Sequence, residues 1–131
     1  MTLKITSLLL LALYLPSLAQ IPNCAHDAKT FRCVKYLKNY DGDTITVDIP
    51  DTHPLIGKNI SVRVNGIDTP EKTGKKPCEK ERAREAQKLT ASLLKPALNI
   101  ELRNLDRDKY FRILADVFFD NKPLSETLIK N

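Results

Sequence analysis

The sequence lacks an internal repeat, a low-complexity segment and any apolar run long enough to cross a bilayer comfortably. The longest apolar run, Leu8 to Leu15, falls well short of the roughly 20 residues that a membrane-spanning helix needs. A stable membrane association is therefore disfavoured. With 131 residues, the chain has room for one domain and not two.

Cysteine is scarce as well, with three residues in the whole chain. No two of them have the short paired spacing of a zinc site, and His26 and His53 lie far from Cys78 in the sequence, which disfavours zinc. A bridge between Cys24 and Cys33 would close a short local loop, contribute about 2–3 kcal/mol and leave Cys78 over. Disulfides form outside the cytosol, so the cysteines fit an exported protein.

The first 19 residues have the pattern of a secretory signal peptide. A single cation, Lys4, precedes the apolar run, and the small residues Ser17 and Ala19 follow it. We expect cleavage after Ala19 and a secreted protein, periplasmic or extracellular, that consists of residues 20–131. Loss of Lys4 lowers the formal net charge from +5 to +4, and a basic surface favours polyanionic partners.

Apolar periodicity predicts the secondary structure. Residues from Thr30 to Ile67 have the pattern of strands, with strict alternation at Thr44–Ile49 and Ile60–Val64, and two later strands are predicted at 98–102 and 111–119. Loops are predicted at Pro50–Pro54 and Thr73–Pro77. Spacings of three and four residues predict a long helix at Cys78–Leu94, ended by Pro96, and its apolar face is formed by Ala83, Ala86, Leu89 and Leu93. A short final helix is predicted at Leu124–Lys130.

This order of elements predicts the fold. Strands come first, one main helix follows the third strand, and two more strands and a short C-terminal helix complete the chain. The order suits an α+β fold dominated by β-structure, namely a five-stranded OB-fold (Greek-key) barrel.

Three short segments carry chemical groups, although each also has a plain structural explanation. Asp41–Gly42–Asp43–Thr44 could be an ordinary hairpin turn, because Asp-Gly is common there. The segment RVNGIDTPE at 63–71 could simply end a strand, since Pro70 forces an extended residue before it. The charged run at 106–109 could be a solvated loop.

Taken together, the three segments predict phosphodiester hydrolysis. That reaction needs a cation to offset phosphate charge, an activated water and donors for the developing negative charge. Asp43 and Asp68 are hard oxygen ligands suited to calcium or magnesium. Glu71 could orient and deprotonate a water, and Arg63 and Arg112 have planar guanidinium groups that match phosphate oxygens two at a time. The hypothesis requires these five side chains to meet in one cleft.

DGDT, then RVNGIDTPE, then DKYFR at 108–112 resemble the staphylococcal nuclease (thermonuclease) family, with similarity from about Cys33 to the end of the chain. The resemblance implies an OB-fold barrel, one bound Ca2+, and cleavage of DNA and RNA to 3′-phosphate products. It also implies a role for each matching residue in turn: metal ligation by Asp43, Asp68 and the Thr69 carbonyl, and catalysis by Arg63, Glu71 and Arg112.

Further positions follow from the same resemblance. Asp41 would steady the metal site from behind the ligands. Lys109 and Tyr110 match positions near the bound nucleotide, and Lys75 and Lys76 correspond to a mobile basic loop that approaches the polynucleotide.

The chain also departs from the family pattern. Members of the family usually continue beyond the point matching Asn131 into a further helix that carries nucleotide-lining aromatic residues. We therefore expect a domain of residues 20–131 without the last helical segment, with reduced base stacking and Tyr110 as its remaining aromatic partner. Three alternatives to a monomeric secreted nuclease stay open: a non-catalytic OB module that binds single strands, a truncated inactive nuclease, and a disulfide-stapled domain that meets other proteins.

Overall fold

The computed structural model describes residues 23–71 and 76–130. The predicted signal peptide and residues 72–75 of the predicted basic loop lie outside the described residues. The elements, in chain order, are β1 (Lys35–Asp41), β2 (Thr44–Asp48), α1 (Pro54–Gly57), β3 (Ile60–Val64), α2 (Pro77–Leu94), β4 (Ile100–Arg107), β5 (Ile113–Phe119), β6 (Lys122–Pro123) and α3 (Leu124–Ile129).

The strands form one mixed sheet in the order β1-β2-β3-β5-β4, and the two-residue β6 pairs with β5. Neighbours are antiparallel except β3 and β5, which are parallel. The segment before β1 reaches the far edge of the sheet: Phe31 and Leu102 exchange two backbone hydrogen bonds of 2.9 Å, and Val34 N–H donates to the Ile100 carbonyl at 3.0 Å. The predicted α+β fold with an OB-type strand order is confirmed, with β6 as an addition.

Alternating residues of the strands form the core. Ile45 and Val47 of β2 face the same interior as Val62 and Val64 of β3, and all four are almost completely buried. Leu124 at the start of α3 is buried against the same cluster. Because side chains alternate between the two faces of a strand, the residues between them, including Thr44, Ser61 and Arg63, lie on the outer face.

The main helix, α2, was predicted almost to the residue, and its apolar face in part, since Ala83 is buried and Leu93 packs against the core. The buried residues are Ala83, Thr90 and Leu94, whereas Leu89 and Leu93 are only partly buried. Thr90 tolerates burial because its hydroxyl donates a hydrogen bond of 2.8 Å to the Gly42 carbonyl. A pattern that counts threonine as polar assigns this face incorrectly.

Two predicted strands begin later than expected. The fourth strand starts at Ile100, since Leu98 is 96% exposed. The fifth starts at Ile113, because residues 108–112 form a turn whose ends are joined by a hydrogen bond from Asp108 N–H to the Arg112 carbonyl at 3.0 Å. The predicted loop at Pro50–Pro54 leads into a helical turn, α1, where the ring nitrogen of His53 accepts from Leu55 N–H.

Cys24 and Cys33 form a disulfide with a Cα–Cα distance of 5.2 Å, which confirms that local pairing, and Cys78 is an exposed free thiol at the start of α2. Within the described residues, every helix is too short or too polar to cross a membrane.

Candidate active site

A cleft of about 370 Å³ opens on the outer face of β2 and β3. Five of the residues predicted from the sequence line it. The described lining residues are Tyr40, Asp41, Asp43, Thr44, Ser61, Arg63, Glu71 and Arg112. Residues separated by up to about seventy positions in the sequence therefore share one cleft, as the hypothesis requires for Asp43, Arg63, Glu71 and Arg112.

The acidic end of the cleft is built on a two-residue turn between β1 and β2. Asp41 pairs with Thr44 across the turn, so the Asp-Gly segment is a hairpin as well as part of the cleft. Asp41 and Asp43 are 7% and 3% exposed. Gly42 has no room for a side chain, since a Cβ atom there would lie 2.8 Å from Thr69 Cγ2 and 3.0 Å from Ala86 Cβ. The close approach brings the turn, the 68–71 segment and α2 together.

Arg63 joins the two predicted carboxylate ligands. Its Nη1 donates to Asp43 Oδ2 at 2.6 Å, and its Nη2 donates to Asp68 Oδ1 at 3.1 Å. The backbone N–H of Thr69 donates to the same Asp43 oxygen at 3.1 Å. The Asp68 side chain is 91% exposed and is absent from the described lining of the cleft, yet its ion pair with Arg63 keeps its carboxylate beside Asp43.

The oxygen donors at this end of the cleft are of the kind that a hard divalent cation prefers, but they do not form a complete shell and Arg63 already pairs with both carboxylates. Two carboxylates converge on one guanidinium group, and Thr69 Oγ1 is buried with no hydrogen-bond partner among the described residues. Carboxylate, carbonyl and hydroxyl oxygens suit calcium or magnesium. Over the described part of the chain, no group of three or more Asp, Glu, His or Cys side chains is close enough to hold a metal. Further ligands would have to be water or substrate oxygens.

The second arginine of the cleft, Arg112, is held by Asp108, a residue to which the sequence pattern assigned no role. Asp108 Oδ2 accepts from Arg112 Nε at 2.9 Å, and Asp108 Oδ1 accepts from the backbone N–H groups of Tyr110 and Arg112 at 2.8 and 2.9 Å. Burial acts to raise the pKa of Asp108, but the hydrogen bonds from Arg112 and Tyr110 outweigh it and hold that pKa below its usual value. The only available signal was the i, i+4 spacing of Asp108 and Arg112 within DKYFR.

Glu71 and the described residues predicted to contact substrate are all exposed to solvent. Glu71 lies at the rim of the cleft, exposed to solvent. Lys76, Lys109 and Tyr110 are absent from the described cleft lining, and Lys109 Nζ lies 5.1 Å from the centre of the Tyr110 ring. Lys75 falls outside the described residues. Their contact with nucleotide stays a prediction.

An OB-type barrel with a buried acidic turn and two anchored arginines in one cleft defines a class of protein suited to handling phosphodiesters. The chain belongs to the staphylococcal nuclease homologue family, whose model matches residues 61–131, slightly more than half of the chain. The matched range contains Arg63, Glu71 and Arg112 but begins after the Asp41–Thr44 turn. The family match therefore does not cover that turn, and its place in the cleft is seen in the structure alone.

Two curated relatives come from Bacillus subtilis (strain 168). Endonuclease YncB is 38% identical over 92 residues, which are 69% of this chain and 41% of that protein. The SPbeta prophage-derived endonuclease YokF is 38% identical over 92 residues, which are 69% of this chain and 29% of that protein. The chain thus spans less than half the length of the curated relatives it matches.

Proposed function

We propose that the protein is a calcium-dependent endonuclease that hydrolyses phosphodiester bonds of DNA, RNA or both to 3′-phosphate products. The observation that carries the proposal is the convergence of Asp43, Arg63, Glu71 and Arg112 on one cleft. Family membership supports it, as do the two relatives, both of which are named endonucleases.

Asp43, Asp68 and the Thr69 carbonyl would hold the cation. A bound divalent cation offsets phosphate charge that would otherwise repel an incoming oxygen nucleophile. Asp41 is buried in the same turn as Asp43 and would position that carboxylate rather than ligate. The hydrogen bond from Thr69 N–H to Asp43 fixes the two ligand-bearing segments against each other before any ion binds.

The reaction follows from the positions of three side chains. Glu71 at the rim would orient a water and accept its proton as the new P–O bond forms. The P–O5′ bond would break as the new bond forms, and the leaving O5′ would take a proton from solvent water, which gives one fragment with a 3′-phosphate and one with a 5′-hydroxyl. Arg112, held at Nε by Asp108, would direct its terminal nitrogens to phosphate oxygens. Arg63, whose terminal nitrogens donate to Asp43 and Asp68, would add its positive charge beside the same phosphate.

Digestion of a single-stranded oligonucleotide tests the proposal. Purified protein is incubated with Ca2+, with Mg2+ and with EGTA, and mass spectrometry identifies the product ends. We expect cleavage with Ca2+ alone and 3′-phosphate ends. Cleavage in EGTA would contradict the metal requirement, and tight binding without cleavage would identify a non-catalytic single-strand-binding module.

We also propose that the protein is exported and acts as a monomer. The Cys24–Cys33 disulfide supports export, because such bonds persist in oxidising compartments. Expression of the full chain in a bacterium should yield a protein whose N-terminal residue is Gln20, and N-terminal sequencing of the periplasmic or extracellular fraction checks this. Retention of Met1 on cytosolic protein would contradict the proposal.

A further inference from the structure

A second groove, of about 430 Å³, adjoins the candidate active site. Its lining residues include Leu55 and Ile56 of α1, Arg107 of β4 and Phe111. Ser61 lines both this groove and the active-site cleft. Ser61 and Arg63 lie on the same outer face of β3, two residues or about 7 Å apart along the strand. The groove is therefore continuous with the place where phosphate would be held.

Phe111 is the most unusual residue of this groove. Its side chain is 79% exposed, and its φ of 62° lies in the left-handed region that bulky residues seldom adopt. Two contacts hold the backbone there: Phe111 N–H donates to the Asp108 carbonyl at 3.0 Å, and Arg107 Nη1 donates to the Phe111 carbonyl at 2.8 Å. The conformation is costly for phenylalanine, and packing of the ring in the core does not offset that cost.

The turn that strains Phe111 also carries Arg112. Asp108 accepts hydrogen bonds from the backbone and side chain of Arg112, so the same turn at residues 108–112 fixes a phosphate-binding guanidinium group and presents an aromatic ring beside it. The exposed aliphatic side chains of Leu55 and Ile56 line the same groove. An apolar slot with an aromatic wall next to an arginine matches a nucleotide: a flat base beside its phosphate.

We propose that this groove binds a nucleobase of single-stranded substrate next to the scissile phosphate, with the ring of Phe111 as its stacking platform. The inference rests on the proposed nuclease function and adds the substrate class, an unpaired strand. Base stacking is tolerant of sequence because every base has a π-face, so the groove should confer a preference for single strands over duplex without a base preference. Arg107 adds positive charge beside the path of the strand.

Two substitutions at position 111 separate stacking from backbone strain. Phe111→Gly removes the ring and accepts the positive φ, so the variant should be at least as stable as the wild type. Phe111→Trp keeps an aromatic platform. Leu98→Ala is the matched control, since Leu98 is also a highly exposed apolar side chain but is absent from the described lining of both the groove and the cleft.

The measurement is KM and kcat on a fluorescent single-stranded oligonucleotide, repeated with a single abasic nucleotide placed in turn at each position around the cut. We expect Phe111→Gly to raise KM about tenfold on the intact strand. Phe111→Trp and Leu98→Ala should stay near the wild-type value. At one abasic position the KM of the wild type should rise by the same factor, and Phe111→Gly should raise the KM on that substrate no further.

Equal KM values for Phe111→Gly and the wild type would overturn the proposal. So would effects on KM of the substitution and of the abasic nucleotide that are additive at every abasic position. Self-association of the wild type that Phe111→Gly abolishes in sedimentation would overturn it too and assign the groove to contact between copies. Fluorescence anisotropy of the same oligonucleotides in EGTA reports binding alone. A wild type that binds through Phe111 but cuts nothing with Ca2+ would refute the nuclease and leave the base site standing.

Discussion

Thr69 packs across Gly42 so tightly that a Cβ atom at position 42 would lie 2.8 Å from Thr69 Cγ2 and 3.1 Å from Thr69 Oγ1. The contact joins the acidic turn to the segment that carries Asp68 and Glu71. Above the same glycine, Thr90 of α2 donates to its carbonyl. The relative position of the predicted metal ligands therefore depends on the absence of a side chain at position 42.

We accordingly predict that Gly42→Ala destabilises the protein by about 1–3 kcal/mol, because the added methyl group forces Thr69 or α2 to move. Cleavage activity at limiting Ca2+ should fall further than stability alone explains, since the Thr69 hydrogen bond to Asp43 is displaced. Urea unfolding and a Ca2+ titration of activity provide the two measurements.

The double variant Gly42→Ala, Thr69→Ser is the control for that mechanism. Serine lacks the Cγ2 atom that the new methyl group would meet first, so the double variant should recover part of the lost stability. A Gly42→Ala protein with the wild-type urea midpoint would show that the close approach of Thr69 to Gly42 can be relieved without loss of stability.

Loss of the proposed base and of a proposed phosphate clamp should separate activity from folding. Glu71→Gln removes the carboxylate that would accept a proton, a change that typically costs about 10²–10⁴-fold in rate. Arg112→Ala removes a guanidinium group aimed at the developing charge, which costs about 10³–10⁵-fold in related phosphoryl transfer. Both variants should keep the wild-type circular dichroism spectrum and a cooperative melt.

Matched substitutions away from the cleft test whether these losses are specific. Glu81→Gln on the exposed face of α2 and Arg103→Ala on β4 change the same residue types, and neither residue is among the described residues that line the cleft. These two variants should cut at the wild-type rate. If Glu71→Gln and Arg112→Ala also cut at that rate, the assignment of the site is wrong.

Asp108 predicts an acid-sensitive contribution to stability. Because its folded-state pKa lies below the ordinary value of 3.8, the ionised carboxylate stabilises the fold at pH values above that number, and the stabilisation is lost as the pH falls through the lowered pKa. Asp108→Asn should therefore be less stable than the wild type near neutral pH, and the difference should shrink below about pH 4.

Urea midpoints of the two proteins at a series of pH values measure this difference. Asp106→Asn is a suitable control, because Asp106 is an exposed acid near the end of β4, two residues before Asp108. A gap between Asp108→Asn and the wild type that is constant down to about pH 2 would contradict the lowered pKa.

Much of the fold could be predicted because alternation along a strand reports burial directly. Ile45 and Val47 are inward in the pattern and fully buried in the structure. The bounds of α2 were predicted almost to the residue, but its buried face was predicted only in part, because the burial of Thr90 depends on a carbonyl 48 positions away. Local patterns do not contain such distant partners.

The residue types of the candidate site could be predicted from the chemistry of phosphate, but the hydrogen bonds that position those residues could not. Carboxylates and arginines at 43, 63, 71 and 112 could be assigned to one cleft because phosphate chemistry calls for them together. The anchoring role of Asp108 could not, since an acid in a charged loop is usually solvated. The strain at Phe111 was equally hidden: a positive φ on phenylalanine depends on the hydrogen bonds of Asp108 and Arg107, and the sequence pattern there predicted a strand.

The last prediction concerns how the barrel is closed. The bridge between Cys24 and Cys33 lies on the segment that pairs with β4, where Phe31 and Leu102 exchange hydrogen bonds. Opening a disulfide loop of this size should cost about 2–3 kcal/mol, chiefly by freeing the unfolded chain. Cys24→Ser with Cys33→Ser, or reduction of the wild type, should lower the free energy of unfolding by that amount, measured as a shift of the urea midpoint to lower urea concentration.

The free thiol provides the control that isolates the bridge. Cys78 is exposed at the start of α2, so Cys78→Ser should leave the midpoint unchanged and should also prevent disulfide exchange during the measurement. Hydrogen exchange then locates the effect: if the bridge stabilises barrel closure, the amides of Phe31, Val34 and Leu102 should lose protection before those of Ile45 and Val62 in the centre of the sheet. An equal loss of protection at all of these amides would mean that the bridge acts on the unfolded chain alone. In that case the pairing of the 31–34 segment with β4 does not need the bridge.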